Sequence, residues 1–154
     1  MDIRTEIDRK YGAVELHVCS GEMTDEVRTV ERELHEMYDR RIAGTDARGN
    51  RCLLTPGGII SVYAEGQKVM ALCEEGAYTV PVKLYEFEQA FGEHLFVRIS
   101  KSELVNIRKI RKLDMSISGT IRIRMKNGYE TYVSRRNVAK IRERLLTERP
   151  VKKE

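Results

Sequence analysis

The sequence predicts an α+β fold that is mainly β, with antiparallel strands and a few short helices. Glycine-rich turn signals separate four short segments of β-like sequence, residues 51–55, 59–65, 68–73 and 77–82. Later in the chain, Asn127-Gly128 stands between two further strand-like segments, and both residues tolerate the positive φ of a type I′ turn. Closely spaced strands joined by such turns form hairpins, so the strands are expected to pair antiparallel.

Residues 1–49 are predicted to be an N-terminal extension made of one strand and one helix. Alternating apolar and polar residues over 13–19 are typical of a strand with one buried face, and the apolar positions are Val14, Leu16 and Val18. From Thr24 to about Arg41, apolar residues recur three or four positions apart, which predicts an amphipathic helix terminated by Gly44. Its apolar stripe suits either dimerisation or packing against the rest of the same chain.

Residues 50–148 are interpreted as one domain, followed by a polar tail at 149–154. Residues 82–91 predict a short helix before Gly92. In the strand before Asn127-Gly128, the residues Ile121, Ile123 and Met125 alternate with Arg122, Arg124 and Lys126, which predicts one buried and one basic face. The last helix is expected to start at Ser134 and to bury Val138, Ile141 and Leu145.

Charge is distributed unequally along the chain. Residues 1–97 hold 11 Lys and Arg against 18 Asp and Glu, a net charge of −7. Residues 98–154 hold 17 against 6, a net charge of +11. This asymmetry indicates a face that binds a polyanion, unless the two surfaces neutralise each other within the fold.

Other functional classes find little support. The three cysteines lack C-x-x-C spacing and the three histidines are scattered, so no metal is expected and the cysteines are expected to be reduced and buried. Glycine-rich phosphate loops and paired histidines are missing from the sequence, which predicts a non-enzyme without cofactors. No stretch resembles a signal peptide or approaches the ~18 apolar residues of a membrane span, so a soluble cytoplasmic protein is expected.

Two groups of residues are candidate binding sites. Arg135 and Arg136 fall in the first turn of the last helix, where the helix dipole disfavours cations by roughly 0.3–1 kcal/mol. A DNA phosphate or a guanine edge would compensate; alternatively, both arginines lie in solvent beside Glu130 or Glu143. The second group is formed by Arg98, Ser100 and Lys101, where a strand gives way to a loop. It is either a recognition loop or an ordinary solvated edge.

A specific combination of motifs occupies the C-terminal part of the chain. The run FVRISKSELVNIRKIRKL is followed by a strand, a KNG turn and the segment YVSRRNVAKIRERL. The pattern Phe-x-Arg-x-x-x-Ser-x-x-Val-Asn is matched by Phe96 or Val97, Arg98, Ser102, Val105 and Asn106. The combination resembles the LytTR family of bacterial DNA-binding domains, and a weaker similarity extends back to about Arg51, so that it covers roughly residues 50–146.

The resemblance implies an elongated, mostly antiparallel β-sandwich that binds duplex DNA through loops placed in successive major grooves. Carried over residue by residue, it places DNA-binding residues in three loops: Gln67 and Lys68, then Ser100 and Lys101, then Arg135, Arg136 and Asn137. Base readout is assigned to Lys68, Lys101 and Arg136, with phosphate contacts supplying affinity. Asn106 is expected to fix a turn.

The predicted function is that of a sequence-specific regulator of transcription that binds double-stranded DNA as a homodimer or in tandem on repeated sites. Many LytTR proteins carry a phosphorylatable receiver domain, for which residues 1–49 are too short, so phosphoryl control is not expected. The alternative is a protein-interaction module whose basic face docks an acidic partner.

Overall fold

The computed structural model describes residues 2–12, 14–38, 40–92, 95–115 and 119–148; the predicted polar tail, 149–154, lies outside them. The described residues form three α-helices: α1 (Asp25–Tyr38), α2 (Leu84–Phe91) and α3 (Val138–Glu148). Single 3-10 turns span Pro56–Gly58, Ile107–Lys109 and Arg135–Asn137. The strands are β1 (Ile42–Thr45), β2 (Arg51–Leu54), β3 (Ile59–Glu65), β4 (Lys68–Cys73), β5 (Gly76–Val80), β6 (Phe96–Ser100), β7 (Glu103–Asn106), β8 (Ile110–Met115), β9 (Ile121–Met125) and β10 (Glu130–Val133).

The strands form two antiparallel sheets. The larger has the order β2-β1-β5-β4-β3-β7-β6, and the smaller has the order β10-β9-β8. The prediction of a mainly antiparallel α+β fold is confirmed. The four predicted segments between residues 51 and 82 correspond to β2 to β5, with ends that agree within two residues.

The central strands of the larger sheet are buried on both faces. Successive side chains of a strand point to opposite faces, so Phe96 and Val97 of β6 belong to two different apolar clusters. In the first cluster, α2 covers the sheet and Phe87 packs edge-on against Phe96 with ring centroids 4.9 Å apart. The second cluster lies between the two sheets and includes Ile141 of α3, which is fully buried. The larger sheet is therefore the middle layer of the fold.

The prediction of an N-terminal strand over residues 13–19 is wrong. Residues 14–20 form no strand, and Val14 and Leu16 are 97% and 63% exposed. A strand needs a neighbour that satisfies its backbone hydrogen bonds, and an alternating pattern does not provide one. Cys19 was expected to be buried but lies exposed on this segment, whereas Cys73 is buried as expected.

Gly44 does not terminate α1 but lies inside β1. The helix ends at Tyr38, and β1 pairs with both β2 and β5. A Cβ atom on Gly44 would stand 2.9 Å from Leu54 Cδ1 and 3.2 Å from the Cβ of Tyr78. Close packing therefore explains the glycine, and the larger sheet begins at Ile42, within the segment interpreted from the sequence as the extension.

The β9–β10 hairpin forms where Asn127-Gly128 predicts it, but without a type I′ turn. Gly128 has a φ of 90°, and no non-glycine residue of the described chain has a positive φ. The N–H of Gly128 donates to the carbonyl oxygen of Met125 at 3.0 Å, and the N–H of Met125 donates to the carbonyl oxygen of Tyr129 at 2.8 Å. This is a three-residue loop, which needs a left-handed conformation at one position only.

Candidate nucleic-acid interface

Two hairpin turns of the larger sheet lie at one edge. Antiparallel pairing in the order β4-β3-β7-β6 brings the β3–β4 turn and the β6–β7 turn to the same side, with Tyr63 paired to Glu103 between them. The N–H of Ala64 donates to the carbonyl oxygen of Ser102 at 2.8 Å, which links the two turns directly. At the usual strand spacing, β4 and β6 lie about 14 Å apart.

The junction between β10 and α3 adjoins the same edge. The N–H of Ser134 donates to the carbonyl oxygen of Ile99 at 2.8 Å, which ties the end of β10 to the end of β6. The 3-10 turn Arg135–Asn137 follows immediately. We call the β3–β4 turn, the β6–β7 turn and this junction together the loop edge.

All seven binding residues predicted from the sequence lie on the loop edge. Two of them are half-buried and shape their own loops. The Oγ of Ser100 accepts from the N–H of Ser102 at 3.2 Å, and the Nδ2 of Asn137 donates to the Oγ of Ser134 at 2.7 Å. The last helix was expected to start at Ser134, but a 3-10 turn follows Ser134 and α3 begins only at Val138. The side chain of Ser134 does not cap a backbone N–H. The exposed residues are Gln67, Lys68, Lys101, Arg135 and Arg136.

The cations of the loop edge form no ion pair with the described residues; they are Lys68, Lys101, Arg135 and Arg136. Glu130, one of the two carboxylates that the alternative interpretation placed beside Arg135 and Arg136, is bound to Arg124 at 2.7 Å. Exposed cations on adjacent loops create a positive potential that attracts a polyanion.

Arg98 supports the β6–β7 turn from behind. Its Nη2 donates to the Oε2 of Glu88 on α2 at 2.6 Å, and its Nη1 donates to the carbonyl oxygen of Lys101 at 3.0 Å. Its side chain is only 17% exposed. Arg98, although it belongs to the predicted binding group, therefore stabilises the β6–β7 turn. Lys101 of the same group is exposed on that turn.

The basic face of β9 is paired with acidic side chains. Arg122 lies 3.3 Å from Asp114, and Arg124 binds Glu130. Hydrogen bonds, first from Lys112 and then from Arg122, lower the pKa of the Asp114 carboxyl below its ordinary value. These pairs make the face a weaker polyanion site than the loop edge.

Asn106 has the structural role expected of it. The residue is 1% exposed, its Nδ2 donates to the carbonyl oxygen of Ile59 at 2.9 Å, and its Oδ1 accepts from the N–H of Arg108 at 3.0 Å. The side chain thus joins β3 to the turn after β7. It is not accessible to a ligand.

Two residues at this edge were not predicted from the sequence. Lys83 is exposed in the loop before α2 and borders an open groove of about 430 Å³ that Gln67 and Lys68 also line. The sequence feature that could have identified it is a single lysine in the proline-containing loop between a strand and a helix. Glu103 is buried behind the β6–β7 turn. Its residue type predicts exposure, so no local signal reveals its position.

The loop edge offers ammonium, guanidinium, amide and hydroxyl groups, which bind phosphates and base edges. Among the residues that the structure describes, no group of three or more His, Cys, Asp or Glu could hold a metal ion. None of the helices in those ranges is long and apolar enough to cross a membrane.

The chain is similar to curated regulators of Staphylococcus aureus. A protein of strain NCTC 8325 described as an uncharacterized HTH-type transcriptional regulator is 36% identical over 93 residues, which are 60% of this chain and 63% of that protein. One of the same description from the bovine strain RF122 is 38% identical over 87 residues, 56% of this chain and 58% of that protein. The matched part thus spans less than two thirds of the length of these relatives.

A solved structure and a family model extend the comparison. The LytTr DNA-binding domain of a Bacillus cereus protein shares the fold, with a TM-score of 0.61 and 22% identity over 70% of this chain and 97% of that one. The family model of the LytTr DNA-binding domain matches residues 49–146, well over half of the chain. The chain therefore belongs to the LytTR family of DNA-binding domains.

Proposed function

We propose that this protein is a bacterial regulator of transcription that acts in the cytoplasm and recognises a specific double-stranded DNA sequence through its loop edge. The observation that carries the proposal is the alignment of three loops at one edge, each with exposed cations free of ion pairs among the described residues. Such side chains bind phosphates without regard to sequence and read guanine where they meet a base edge. Membership of the LytTR family supports duplex DNA as the polyanion.

The base-reading residues that we propose are Lys68, Lys101 and Arg136. They are exposed and stand on three different loops, so each can meet a different segment of the site. We propose that these contacts fall in successive major grooves, which is supported only by membership of the LytTR family. Asn137 is half-buried against Ser134 and is assigned, with Arg135, to the DNA backbone.

Selection of bound sites from a random duplex pool tests this function. The unaltered protein should recover a preferred sequence, and its affinity should fall steeply with salt because cations bound to phosphate release counterions. A triple variant, Lys68→Ala, Lys101→Ala and Arg136→Ala, should lose the preference. Its matched control removes two lysines and one arginine that are exposed on the smaller sheet: Arg111→Ala, Lys112→Ala and Lys126→Ala.

Two results would contradict the proposal. One is an absence of DNA binding by the unaltered protein at low salt, which would favour an acidic protein as the partner of these cations. The other is an equal loss of sequence preference in the triple variant and its control, which would remove the loop edge from recognition.

We also propose that two copies associate through α1 and bind DNA as a homodimer. Along the apolar stripe of α1, Val30 and Leu34 are only half-buried, and neither belongs to the two buried clusters. Val30→Glu with Leu34→Glu should convert a dimer to a monomer in analytical ultracentrifugation, whereas Arg28→Glu with Arg32→Glu on the exposed face should not. A monomeric unaltered protein would leave tandem binding on repeated sites as the mode of assembly.

A further inference from the structure

A carboxylate is buried directly behind the β6–β7 turn. Glu103 is the first residue of β7, two positions after Lys101, and is only 9% exposed. Removing a carboxylate from water is costly unless hydrogen bonds replace the lost hydration. The contacts of Glu103 supply that replacement and indicate what the residue does.

Three hydroxyl groups donate to Glu103. The Oγ of Ser61 donates to Oε1 at 2.6 Å, and the hydroxyl of Tyr129 donates to the same oxygen at 2.8 Å. The Oγ1 of Thr131 donates to Oε2 at 2.6 Å. Ser61 belongs to β3 of the larger sheet, whereas Thr131 belongs to β10 of the smaller sheet and Tyr129 comes just before it. The carboxylate therefore bridges the two sheets.

The donors of this bridge are kept in their donating form. Burial and the charge of Glu103 raise the pKa of Tyr129 from 10.0 to about 12, so its phenol stays protonated even in mildly alkaline solution. Ser61 is fully buried and Thr131 is 9% exposed. In the described chain, no buried side-chain nitrogen or oxygen atom lacks a hydrogen-bond partner. The bridge is thus a fully satisfied network, the condition under which buried polar groups add rigidity.

The backbone bond from Ser134 to Ile99 also crosses between the sheets, but the side-chain packing around it is apolar. The second cluster joins the sheets through side chains such as Val97, Ile99 and Val133. Apolar contacts are non-directional and accept alternative packings of similar volume. A relative displacement of the sheets would carry the Arg135–Asn137 turn, which follows β10, away from the Lys101 turn, which precedes β7.

We infer that Glu103 is a positioning residue: by bridging β7 and β10, it holds the Lys101 turn and the Arg135–Arg136 turn at a set separation and orientation. The inference rests on the proposed function, because that relation matters only if both turns contact one DNA duplex. Glu103 acts through the turns, since its own carboxylate is occupied by three hydroxyls.

Amide hydrogen exchange of the whole protein tests this role without DNA. Glu103→Gln presents an amide nitrogen to Thr131 in place of an acceptor, and Thr131→Val removes only the donor on β10. Each variant should speed exchange of the Ser134 N–H by about tenfold or more, the size expected when one buried hydrogen bond is lost. Amides of the β4–β5 hairpin should keep their rates. Val80→Ala, which truncates a buried side chain of β5, is the control and should leave Ser134 unchanged.

DNA binding supplies the second readout. The probe is the duplex selected by the unaltered protein, compared with the same duplex carrying one extra base pair between the segments protected by the two turns. Glu103→Gln and Thr131→Val should each lose about tenfold of the discrimination between these duplexes, as a loss of one buried bond predicts, whereas Val80→Ala should retain it.

The outcomes separate this inference from the function on which it rests. Sequence-selective binding by the unaltered protein, with discrimination and Ser134 exchange unchanged in both variants, would overturn the positioning role alone. An unaltered protein without a preferred sequence would overturn the proposed function and the positioning role together. If Glu103→Gln does not fold, Thr131→Val decides, because valine has the shape of threonine.

Discussion

The backbone N–H of Ser134 donates a hydrogen bond to the carbonyl oxygen of Ile99 at 2.8 Å. Ser134 lies between β10, the last strand of the smaller sheet, and the turn with Arg135 and Arg136, whereas Ile99 lies near the end of β6, just before the turn that carries Lys101. One backbone contact thus brings together cations that are more than thirty positions apart in the sequence.

Replacing Arg136 by alanine should weaken binding to the selected duplex by about 1–3 kcal/mol and relax the preference at one base pair, as expected for a lost contact to a base edge. Fluorescence anisotropy with a panel of single-base variants of the duplex measures both effects. The control is Lys126→Ala, an exposed cation at the other end of β10 from Ser134. An unchanged base preference in Arg136→Ala would remove this residue from readout.

Lys68 and Gln67 share the β3–β4 turn but differ in charge, so their alanine variants should behave differently. Loss of the Lys68 ammonium should weaken binding and reduce the slope of log affinity against log salt by up to about 1, whereas loss of the neutral Gln67 amide should leave that slope unchanged. Titrations at several salt concentrations measure the slope. Equal slopes for both variants would mean that Lys68 makes no charged contact with DNA.

Asn106→Ala should destabilise the protein by about 1–3 kcal/mol, because the carbonyl of Ile59 and the N–H of Arg108 would lose their partner. Urea denaturation followed by circular dichroism measures the free energy of unfolding. Asn50→Ala, at an exposed loop position, should have a smaller effect. A variant of unchanged stability but reduced DNA affinity would instead indicate that Asn106 has a direct role in binding.

Gly44→Ala should destabilise the protein by about 1–3 kcal/mol through overpacking, because the new methyl group would stand 2.9 Å from Leu54 Cδ1. The thermal midpoint measures the change. Gly57→Ala is the control, since a Cβ there meets no atom within 4 Å. Equal midpoints for the two variants would show that the Leu54 side chain moves aside at little cost.

The thiols of Cys19 and Cys73 should differ in reactivity. Burial, followed by the charge of Glu75, raises the pKa of Cys73 from 9.0 to about 11, so its thiol stays protonated at pH 8, whereas Cys19 is exposed. Iodoacetamide should alkylate Cys19 in the native protein and Cys73 only after unfolding, as mass spectrometry of the peptides would show. Rapid alkylation of native Cys73 would contradict this burial.

The raised pKa of Cys73 also has a consequence for stability. The unfolded thiol ionises near pH 9.0 and the folded thiol near pH 11. The contribution of Cys73 to stability is therefore fully present below pH 9 and is lost as the pH rises towards 11. Cys73→Ser should flatten this part of the dependence of unfolding free energy on pH; an unchanged profile would assign it to other groups.

The elements that the sequence predicted well are those in which neighbouring residues carry the whole signal. Residues 25–38 have helical spacing of apolar side chains, and β3 and β4 have short strand-like segments on either side of Glu65-Gly66. The same holds for β9, whose alternating side chains are buried and half-buried in turn. In each case the period of the pattern matches the period of the structure.

The sequence by itself also determined which loops carry the cations, because the motif around Arg98 to Asn106 and the segment after Val133 identified the family. Only the tertiary structure decided which alternating segment becomes a strand, why Gly44 is a glycine, and what lies behind the Lys101 turn. The segment from Val14 to Val18 has the alternating pattern of a strand but pairs with no other strand. Glu103 is of a residue type that is usually exposed, but it is buried. The physical reason is that strand pairing and burial depend on residues distant in the chain, whose approach local patterns do not encode.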